Sequence, residues 1–454
     1  MASIQQRNKS YYVIYKCEDE DGTKRQVWES FKNLQDAKKR KSEIDYKTSV
    51  GTLVVPKCRT LNQLLDEYIE LYGKSKWAMS TYGSHVGLIE HYIRPFMGET
   101  PLSEITPRTL ERYYQMLLKT KAVPNNALVP KEKLISAHTV MDIHKILHSC
   151  FNQAIKWQVM EKNPAADALV PTVKHKKREI WTSQTLFHAL NVCDDPRLAL
   201  ALNLSFCCSL RIGEMLGLTW DCIDISPESI RNGMACVNVT KELQRVKRDV
   251  LEKLDQRDVQ LVFPAYSSCT STVLVLKKPK TDSSIRKVFM PKAVAKMLVT
   301  WKSMQEQKKD TLGSEYNDYG LVFASDIGYP VEANTINKAL RRLIKRNNLP
   351  PVVFHSFRHA SVTYKLKLNG GDIKAVQGDT GHAQAKMVTD VYSHILEDDR
   401  QNNAELFQKA FYEEQAPAAQ TAQLPEGLTT DVLAKLLASP EVLSLLGSLA
   451  KAMK

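Results

Sequence analysis

The stretch FHSFRHASVTY, residues 354–364, places His355, Arg358 and His359 close together between two aromatic residues. If the stretch begins a helix, His355 and Arg358 lie one turn apart on the same face, and His359 lies one turn above His355. Three interpretations are open: a metal site, a solvated helix face and a clamp for a phosphate. The clamp is favoured, because a guanidinium offers phosphate oxygens a planar fork of donors and an imidazole adds a donor or moves a proton.

A metal site explains these residues less well. The metalloprotease pattern with two histidines four residues apart needs a Glu directly after the first His, and Ser356 stands there. The guanidinium of Arg358 would also repel a cation. The histidines at 91, 138, 144 and 148 do not share a metal-binding spacing either. The phosphate clamp therefore fits these residues better than a metal site does, and an ordinary core role is favoured for His359.

Composition restricts the class of protein. A chain of 454 residues is too long for one core and suggests two to four domains. Its 63 Lys and Arg against 50 Asp and Glu give a net charge of +13, which favours a polyanionic partner, either nucleic acid or an acidic membrane surface. No signal peptide or membrane span is evident, and the nine cysteines lack Cys-x-x-Cys spacing. We expect a soluble, cytoplasmic protein with reduced cysteines.

The N-terminal region is predicted to form a small sheet and one helix. Residues 3–31 alternate as short strands do, with the acidic turn EDEDG between them, and the helical pattern LQDAKKRKSEIDYK follows. Cations interleave with aromatic residues here, which suits phosphate contacts from a sheet face. The candidates are Arg7, Lys9, Lys24 and Arg25. A solvated helix face is the alternative for the cations at 38–41.

The pattern becomes helical at 60–169, where four stretches carry apolar residues three or four apart and several begin with Ser or Thr, as N-capped helices do. A four-helix bundle is predicted. The non-periodic segment VPTVKHKKREIW, 170–181, is predicted to be a linker that lies along a nucleic-acid backbone. Its cations are Lys174, Lys176, Lys177 and Arg178.

Residues 182–410 are predicted to be mixed α/β. Helices are expected at 182–193 and 196–218, strands near 233–240, 271–279 and 285–290, and further helices after them. The insertion 242–269 is expected to form a helix and a loop. The remaining 411–454 are rich in Ala, Leu and Ser and predict a helical tail. The fold class is thus multidomain and mainly α with small β elements.

Three further motifs carry chemistry. Arg211 ends the most apolar stretch of the chain, where a cation needs a carboxylate or a phosphate, and Glu214 is its expected internal partner. The stretch LKKPKTDSSIRKVFMP predicts a hairpin whose turn presents Lys280. In DTGHAQAKMVTDVYSHI, Gly381 and His382 stand at an apparent helix start, with Tyr392 ten residues after His382.

This ordered set of motifs resembles the tyrosine recombinase (phage-integrase) family, and most closely the integrases of conjugative transposons and temperate phages. The resemblance rests on the segments LRIGE, PKT, HSFRHA, the Gly-His pair and DVYSHI, in this order. The resemblance implies an arm-type DNA-binding domain at 1–55, a core-binding domain at 60–169, a catalytic domain at 182–410 and a tail at 411–454 that contacts another protomer.

The resemblance also implies the chemistry of a site-specific DNA recombinase that integrates and excises a mobile element. Tyr392 would attack a scissile phosphate and form a 3′-phosphotyrosyl bond, with His355 as general base and Lys280 as general acid. Arg211, Arg358 and His382 would stabilise the developing charge. No metal and no nucleotide cofactor are expected. The expected partners are double-stranded DNA with core and arm-type sites, a homotetramer that exchanges strands through a Holliday junction, an excision factor and a host DNA-bending protein, in the nucleoid of a bacterial cytoplasm.

The sequence departs from the family pattern in two places. Thr380 stands where Leu usually precedes Gly381, and Cys208 and Ser209 stand where a Thr-Gly pair often precedes the first Arg. Both changes are expected to affect packing and to leave the catalytic groups in place. Two alternatives stay open: a catalytically inactive DNA-binding regulator of the same fold, and a DNA-relaxing enzyme similar to a type IB topoisomerase.

Overall fold

The computed structural model describes residues 2–7, 10–18, 24–50, 59–123, 133–173, 180–265, 270–381, 383–392, 435 and 438–452. The chain divides into two units, Met1–Val391 and Tyr392–Lys454. Among the helices in the described ranges, none combines the length and the apolar character needed to cross a bilayer.

The first region is an antiparallel meander of three strands followed by one helix: β1 (Ser3–Arg7), β2 (Ser10–Glu18), β3 (Lys24–Phe31) and α1 (Leu34–Ser49). Asn33 caps α1 by accepting a hydrogen bond from the backbone N–H of Asp36. Ala37 and Ile44 of α1 pack on one face of the sheet, against side chains such as Val27. The predicted sheet and helix are therefore present.

The second region is a helical bundle whose first two long stretches each contain a π-helical segment: α2 (Leu61–Glu67), Tyr68–Gly73 (π), α3 (Lys74–Lys76), α4 (Met79–Leu88), Ile89–Ile93 (π), α5 (Arg94–Met97), Leu102–Glu104 (3-10), α6 (Pro107–Leu118) and α7 (Ala137–Lys156). Thr60, Thr106 and Ser136 accept hydrogen bonds from first-turn N–H groups, as predicted for N-caps. The second stretch differs, because Ala78 and not Ser80 precedes its first helical residue.

The third region is mixed α/β, as predicted, and its elements are α8 (Ser183–Asn191), α9 (Pro196–Cys207), α10 (Ile212–Leu216), β4 (Ile223–Asp224), α11 (Pro227–Asn232), β5 (Cys236–Val239), β6 (Glu242–Lys247), α12 (Arg248–Lys253), β7 (Val259–Val262), β8 (Thr272–Lys277), β9 (Arg286–Phe289), α13 (Lys292–Leu312), α14 (Ala333–Arg346), α15 (His355–Leu368), α16 (Ile373–Thr380) and α17 (Ala385–Tyr392). The apolar α9 lies at its centre, in contact with α13, α14 and α15.

The helix predicted at 196–218 is wrong in its length. The chain leaves the helix after Cys207, and Ser209 adopts a left-handed conformation with φ of 54°. Arg211 is then extended, with φ of −71° and ψ of 151°, and a new helix, α10, starts at Ile212. The left-handed residue breaks the helix, because L-residues do not continue a right-handed helix through that region.

The predicted hairpin around Lys280 is also wrong. The strands β8 and β9 belong to different three-stranded sheets, with orders β6-β8-β7 and β4-β5-β9. In the strand register, Glu242 of β6 pairs with Lys277 of β8, and Val239 of β5 pairs with Arg286 of β9. The two residues 240–241 on one side therefore stand opposite the longer segment 278–285 on the other. Lys280 therefore lies on the connecting segment 278–285, which we call the excursion. The strands on either side of it, β8 and β9, do not pair with each other.

The insertion 242–269 forms a strand, a short helix and a second strand where a helix and a loop were predicted. The sheet β6-β8-β7 lies between two cores: Val246, Val273 and Val275 join the core of the bundle, whereas Leu243 and Leu276 join the core around α9. Alternate side chains of a strand point to opposite faces, which lets one sheet serve both cores. The insertion thus connects the bundle to the third region.

The helix after the sheet's first strand strengthens this connection. Val250 and Leu251 of α12 are buried in the bundle core, and α12 contacts α4. Beyond α12, the Arg257 guanidinium donates to the backbone carbonyls of Ser75, at 2.9 Å, and Lys74, at 2.6 Å. Apolar and polar contacts therefore both join the insertion to the bundle.

In the second unit, one helix is described beyond residue 392, α18 (Pro440–Ala452). It lies within the stretch where the sequence predicts a helical tail. The side chains of Leu443 and Leu445 on it are exposed.

Candidate active site

Arg211 stands at the N-terminus of α10, directly after the left-handed turn at Ser209. Its backbone N–H donates to Glu214 Oε2 at 3.0 Å and its Nη1 donates to Glu214 Oε1 at 2.5 Å. Its Nη2 lies 3.4 Å from the carbonyl oxygen of Gly381. The side chain is 34% exposed, so part of it is accessible to an incoming group. The predicted pairing with Glu214 is present.

Glu214 is a buried carboxylate that two arginines share. Its side chain is 1% exposed, and Oε2 also accepts a hydrogen bond of 2.9 Å from Arg286 Nη2. Burial by itself raises the pKa of the Glu214 carboxyl, but the hydrogen bond and charge of Arg286 and the charge of Arg211 together hold that pKa below its ordinary value. The carboxylate is therefore ionised at neutral pH.

Arg358 is 2% exposed and projects from the first turn of α15. Its Nη1 donates to the carbonyl of Ser209 and its Nη2 donates to the carbonyl of Thr380 at 2.6 Å. Burial, the largest cause, and the positive charge of Arg211 lower the pKa of the Arg358 guanidinium to about 9, against the opposing charge of Glu214. A bound anion would offset the electrostatic cost of this buried cation.

The arginines 211, 286 and 358 form what we call the arginine cluster, and they converge on the end of α16. Gly381 ends that helix in a left-handed conformation with φ of 63°, so the prediction that it starts a helix is wrong. A Cβ at this position would lie 2.8 Å from Ser283 O and 3.1 Å from Arg286 Cδ. Glycine is required by conformation and by space. The cluster carries more positive charge than Glu214 neutralises, which suits it to an anion.

Two other predicted groups, His355 and Lys280, are exposed. His355 opens α15 as predicted, and its ring meets the ring of His359 edge to face with centroids 4.6 Å apart. Lys280 is exposed on the excursion 278–285. Burial is the main cause of the lowered pKa of His85 in α4, and the charge of Lys280 contributes to it. Lys280 therefore lies within electrostatic range of the bundle.

The remaining predicted catalytic residues are His382 and Tyr392. His382 lies outside the described residues, and Tyr392 is the last residue of α17. Within the described part of the chain, no group of three or more His, Cys, Asp or Glu side chains could hold a metal ion.

The predicted DNA-binding residues are described only in part. Arg7 stacks over the ring of Trp28, 4.8 Å from its centroid, and Tyr12 meets the same ring edge to face. Trp28 is 40% exposed, so this sheet face presents a cation on an aromatic surface. Lys24 and Arg25 begin β3. Outside the described residues lie Lys9, Lys174, Lys176, Lys177 and Arg178.

Sequence reasoning missed a basic face on α14. One side of this helix buries Ile336, Leu340 and Leu343, and the other exposes five cations: Lys338, Arg341, Arg342, Lys345 and Arg346. The only described ion pair among them is the solvent-exposed one between Arg346 and Asp194. The sequence signal for this face was available in the segment ANTINKALRRLIKR, because its apolar residues recur three and four apart and cations lie between them.

Comparisons with known proteins identify a family and several relatives. The profile of the phage integrase SAM-like domain matches residues 60–174, and that of the phage integrase family matches residues 259–398. A tyrosine recombinase XerC-like protein of Caldanaerobacter subterraneus subsp. tengcongensis is 24% identical over 362 residues, covering 78% of this chain and 83% of the relative. The ICEBs1 integrase of Bacillus subtilis is 22% identical over 318 residues, covering 69% and 73%.

A solved structure shares the fold. The Tn1549 transposon integrase in complex with a circular intermediate DNA superposes with a TM-score of 0.56 at 20% identity, covering 77% of this chain and 100% of that one. The ordered motifs, the two matched profiles and these relatives lead to one conclusion: the chain belongs to the phage integrase family, the tyrosine-type site-specific recombinases.

Proposed function

We propose that this recombinase is the integrase of a mobile element, which it inserts and excises by cutting and rejoining double-stranded DNA. The observation that carries the proposal is the arginine cluster. Arg211 and Arg358 donate to the adjacent carbonyls of Gly381 and Thr380, and together with Arg286 they outnumber the buried carboxylate of Glu214. A fixed surplus of positive charge stabilises the charge that develops on a phosphate under attack.

In the proposed reaction, Tyr392 Oη attacks the phosphorus atom and the bond from phosphorus to the 5′ oxygen breaks. A free phenol has a pKa near 10, so a base must take the proton of Tyr392, and His355 is the candidate. Lys280 gives a proton to the departing 5′ oxygen. Arg211, Arg358 and His382 hold the non-bridging oxygens. The reverse sequence rejoins the strand, and the phosphotyrosyl bond conserves the energy for it.

The proposal assigns the DNA contacts to separate surfaces. The five exposed cations of α14 contact phosphates near the site, and residues 170–181 follow the backbone between bundle and catalytic region. Residues 1–55 bind an arm-type site through the sheet face that carries Arg7 and Trp28. Lys9, Lys24 and Arg25 contribute to the same contact. Residues 60–169 bind the core site, and 182–410 carry the chemistry.

The same proposal extends to the assembly. Four protomers bind paired core sites and exchange strands through a Holliday junction, and the tail, 411–454, packs on a neighbouring protomer. The exposed Leu443 and Leu445 support a protein contact for the tail. An excision factor and a host DNA-bending protein are the expected accessory partners. A chromosomal substrate places the enzyme in the bacterial nucleoid.

Recombination of a plasmid tests the function. The plasmid carries both ends of the mobile element that contains the gene, as direct repeats, and the reaction contains EDTA and no ATP. We expect an excised circle with a joined junction, and no circle from a plasmid that lacks the ends. Tyr392→Phe should give none, whereas the matched control Tyr316→Phe should react normally.

Two outcomes contradict the proposal. Relaxation of supercoiled plasmid without any element end would support the topoisomerase-like alternative. Sequence-specific binding with no strand exchange under any condition would support the inactive regulator.

A further inference from the structure

Arg286, at the start of β9, connects three separate segments of the catalytic region. Its side chain is 5% exposed. Its Nε donates to the carbonyl of Asp379 at 2.7 Å, its Nη1 to the carbonyl of Ser284 at 2.9 Å and its Nη2 to Glu214 Oε2 at 2.9 Å. All three nitrogens of the guanidinium are therefore engaged, which fixes the orientation of the group.

Each connected segment borders a group that the proposed reaction uses. Ser284 lies near the end of the excursion 278–285 that carries Lys280, and Glu214 holds Arg211. Asp379 precedes Gly381 at the end of α16, where Arg358 and Arg211 also donate. One side chain thus sets the relative positions of the lysine excursion, the Arg211 clamp and the end of α16.

Steric contact reinforces the hydrogen bonds. An added Cβ on Gly381 would lie 3.1 Å from Arg286 Cδ and 3.1 Å from Arg286 Nη1. The backbone of Gly381 therefore rests directly on the guanidinium. A shorter side chain at 286 would leave the end of α16 without this support.

Charge is the second contribution. The charged groups that face Glu214 are Arg211 before α10, Arg286 on β9 and Arg358 on α15. On the other elements packed against α10, Glu242 of β6 pairs with Lys277, and the cations of α14 are exposed. Removal of the Arg286 charge would leave a buried carboxylate with less compensation, and its pKa would rise.

We propose that Arg286 is a positioning residue for DNA cleavage, which holds the Lys280 excursion and the end of α16 in place and keeps the Glu214–Arg211 pair ionised. This inference rests on the proposed function, since its consequence is measured as strand cleavage. Arg286 acts through Glu214 and through backbone carbonyls.

The test is single-turnover cleavage of a nicked DNA from an element end, measured between pH 5.5 and 9, beside DNA affinity for the same variants. Arg286→Met should slow cleavage about tenfold to a hundredfold, the cost of losing hydrogen bonds to a charged group. The loss should deepen as pH falls, because a Glu214 with a raised pKa takes up a proton and releases Arg211. DNA affinity should stay within about twofold, since phosphate contacts elsewhere dominate it.

Two companion variants separate positioning from general stability. Arg286→Lys keeps the charge and should restore the pH profile of the wild type, but it cannot reach three acceptors and should stay slow. Arg286→Met combined with Glu214→Gln should lose the extra pH dependence. Arg245→Met, which breaks the half-exposed pair of Arg245 with Glu332, is the matched control and should cleave normally.

Several results overturn the inference. The inference is wrong if Arg286→Lys cleaves as fast as the wild type. It is also wrong if Arg286→Met cleaves at the wild-type rate, or if its cleavage is slowed by the same factor at every pH. If Arg286→Met does not fold, the cleavage rate and pH profile of Arg286→Lys test the inference by themselves. A wild type that forms no covalent product contradicts the proposed function itself, which distinguishes the two failures.

Discussion

Arg358 and Arg211 donate to the carbonyl oxygens of two consecutive residues, Arg358 Nη2 to Thr380 at 2.6 Å and Arg211 Nη2 to Gly381 at 3.4 Å. The two guanidiniums come from segments far apart in the sequence, and both donate to the end of α16. Backbone oxygens at the end of α16 therefore help to orient both cations, and unlike the carboxylate of Glu214 they carry no net charge.

The first prediction concerns these two arginines. Arg211→Ala and Arg358→Ala should each slow cleavage by roughly a hundredfold or more, as does loss of one transition-state donor in other enzymes. Arg358→Lys keeps a buried cation but cannot donate to both Ser209 and Thr380, so it should also be slow. Single-turnover cleavage at saturating protein measures the effect, and a change in DNA affinity alone would contradict it.

Gly381 provides a test of the backbone geometry. Gly381→Ala should destabilise the protein by about 1–2 kcal/mol or more, because its φ is positive and the new Cβ would press on Ser283 O. Gly378→Ala is the matched control: it lies inside α16 with no atom within 4 Å of its added Cβ, and should stabilise by up to about 1 kcal/mol. Urea unfolding measures the change in the free energy of unfolding for both variants. Equal changes would contradict the conclusion that position 381 requires glycine.

The insertion should hold the bundle to the catalytic region. Val250→Asp places a charge in the bundle core beside Gly83, so α12 should separate from α4. Hydrogen exchange in α4 and tryptic cleavage within 174–178 should both increase, whereas Glu252→Ala on the exposed side of α12 should change neither. Unchanged exchange in the Val250 variant would show that the contact contributes little.

The basic face of α14 should contribute to affinity through phosphate contacts. Arg341→Ala and Arg342→Ala should weaken binding to all DNA sequences alike and should each reduce the slope of log affinity against log salt by about 1. Lys296→Ala on α13 is an exposed control that should leave the slope unchanged. A loss confined to one DNA sequence would instead indicate base contacts.

The sequence predicted well what local patterns encode. The N-caps Thr60, Thr106 and Ser136, the helix start at His355 and the pairing of Arg211 with Glu214 all follow from residues close in the chain. Arg211 could be singled out in the same way, because a cation at the end of an apolar stretch needs a partner.

Non-local pairing explains what the sequence did not predict. The segment around Lys280 has a hairpin pattern, but β8 and β9 pair with strands from the insertion and from 236–239. Arg286 looks like an ordinary strand residue until its burial is known. Ser209 stands where the family often has Gly, and its φ of 54° explains that preference, while its hydroxyl bonds to Ser361 at 2.6 Å.

The most direct measurement of the central claim is the site of covalent attachment. A nicked DNA from an element end, from which the cleaved 5′ fragment diffuses away, traps the protein on the 3′ end. In EDTA and without ATP, the wild type should form a complex that survives denaturation, and mass spectrometry should locate the phosphate on Tyr392. Tyr392→Phe should bind the DNA as well as the wild type and form no complex. A link at another residue, or a strict need for a divalent metal, would contradict the account and return His355 and His359 to consideration as metal ligands.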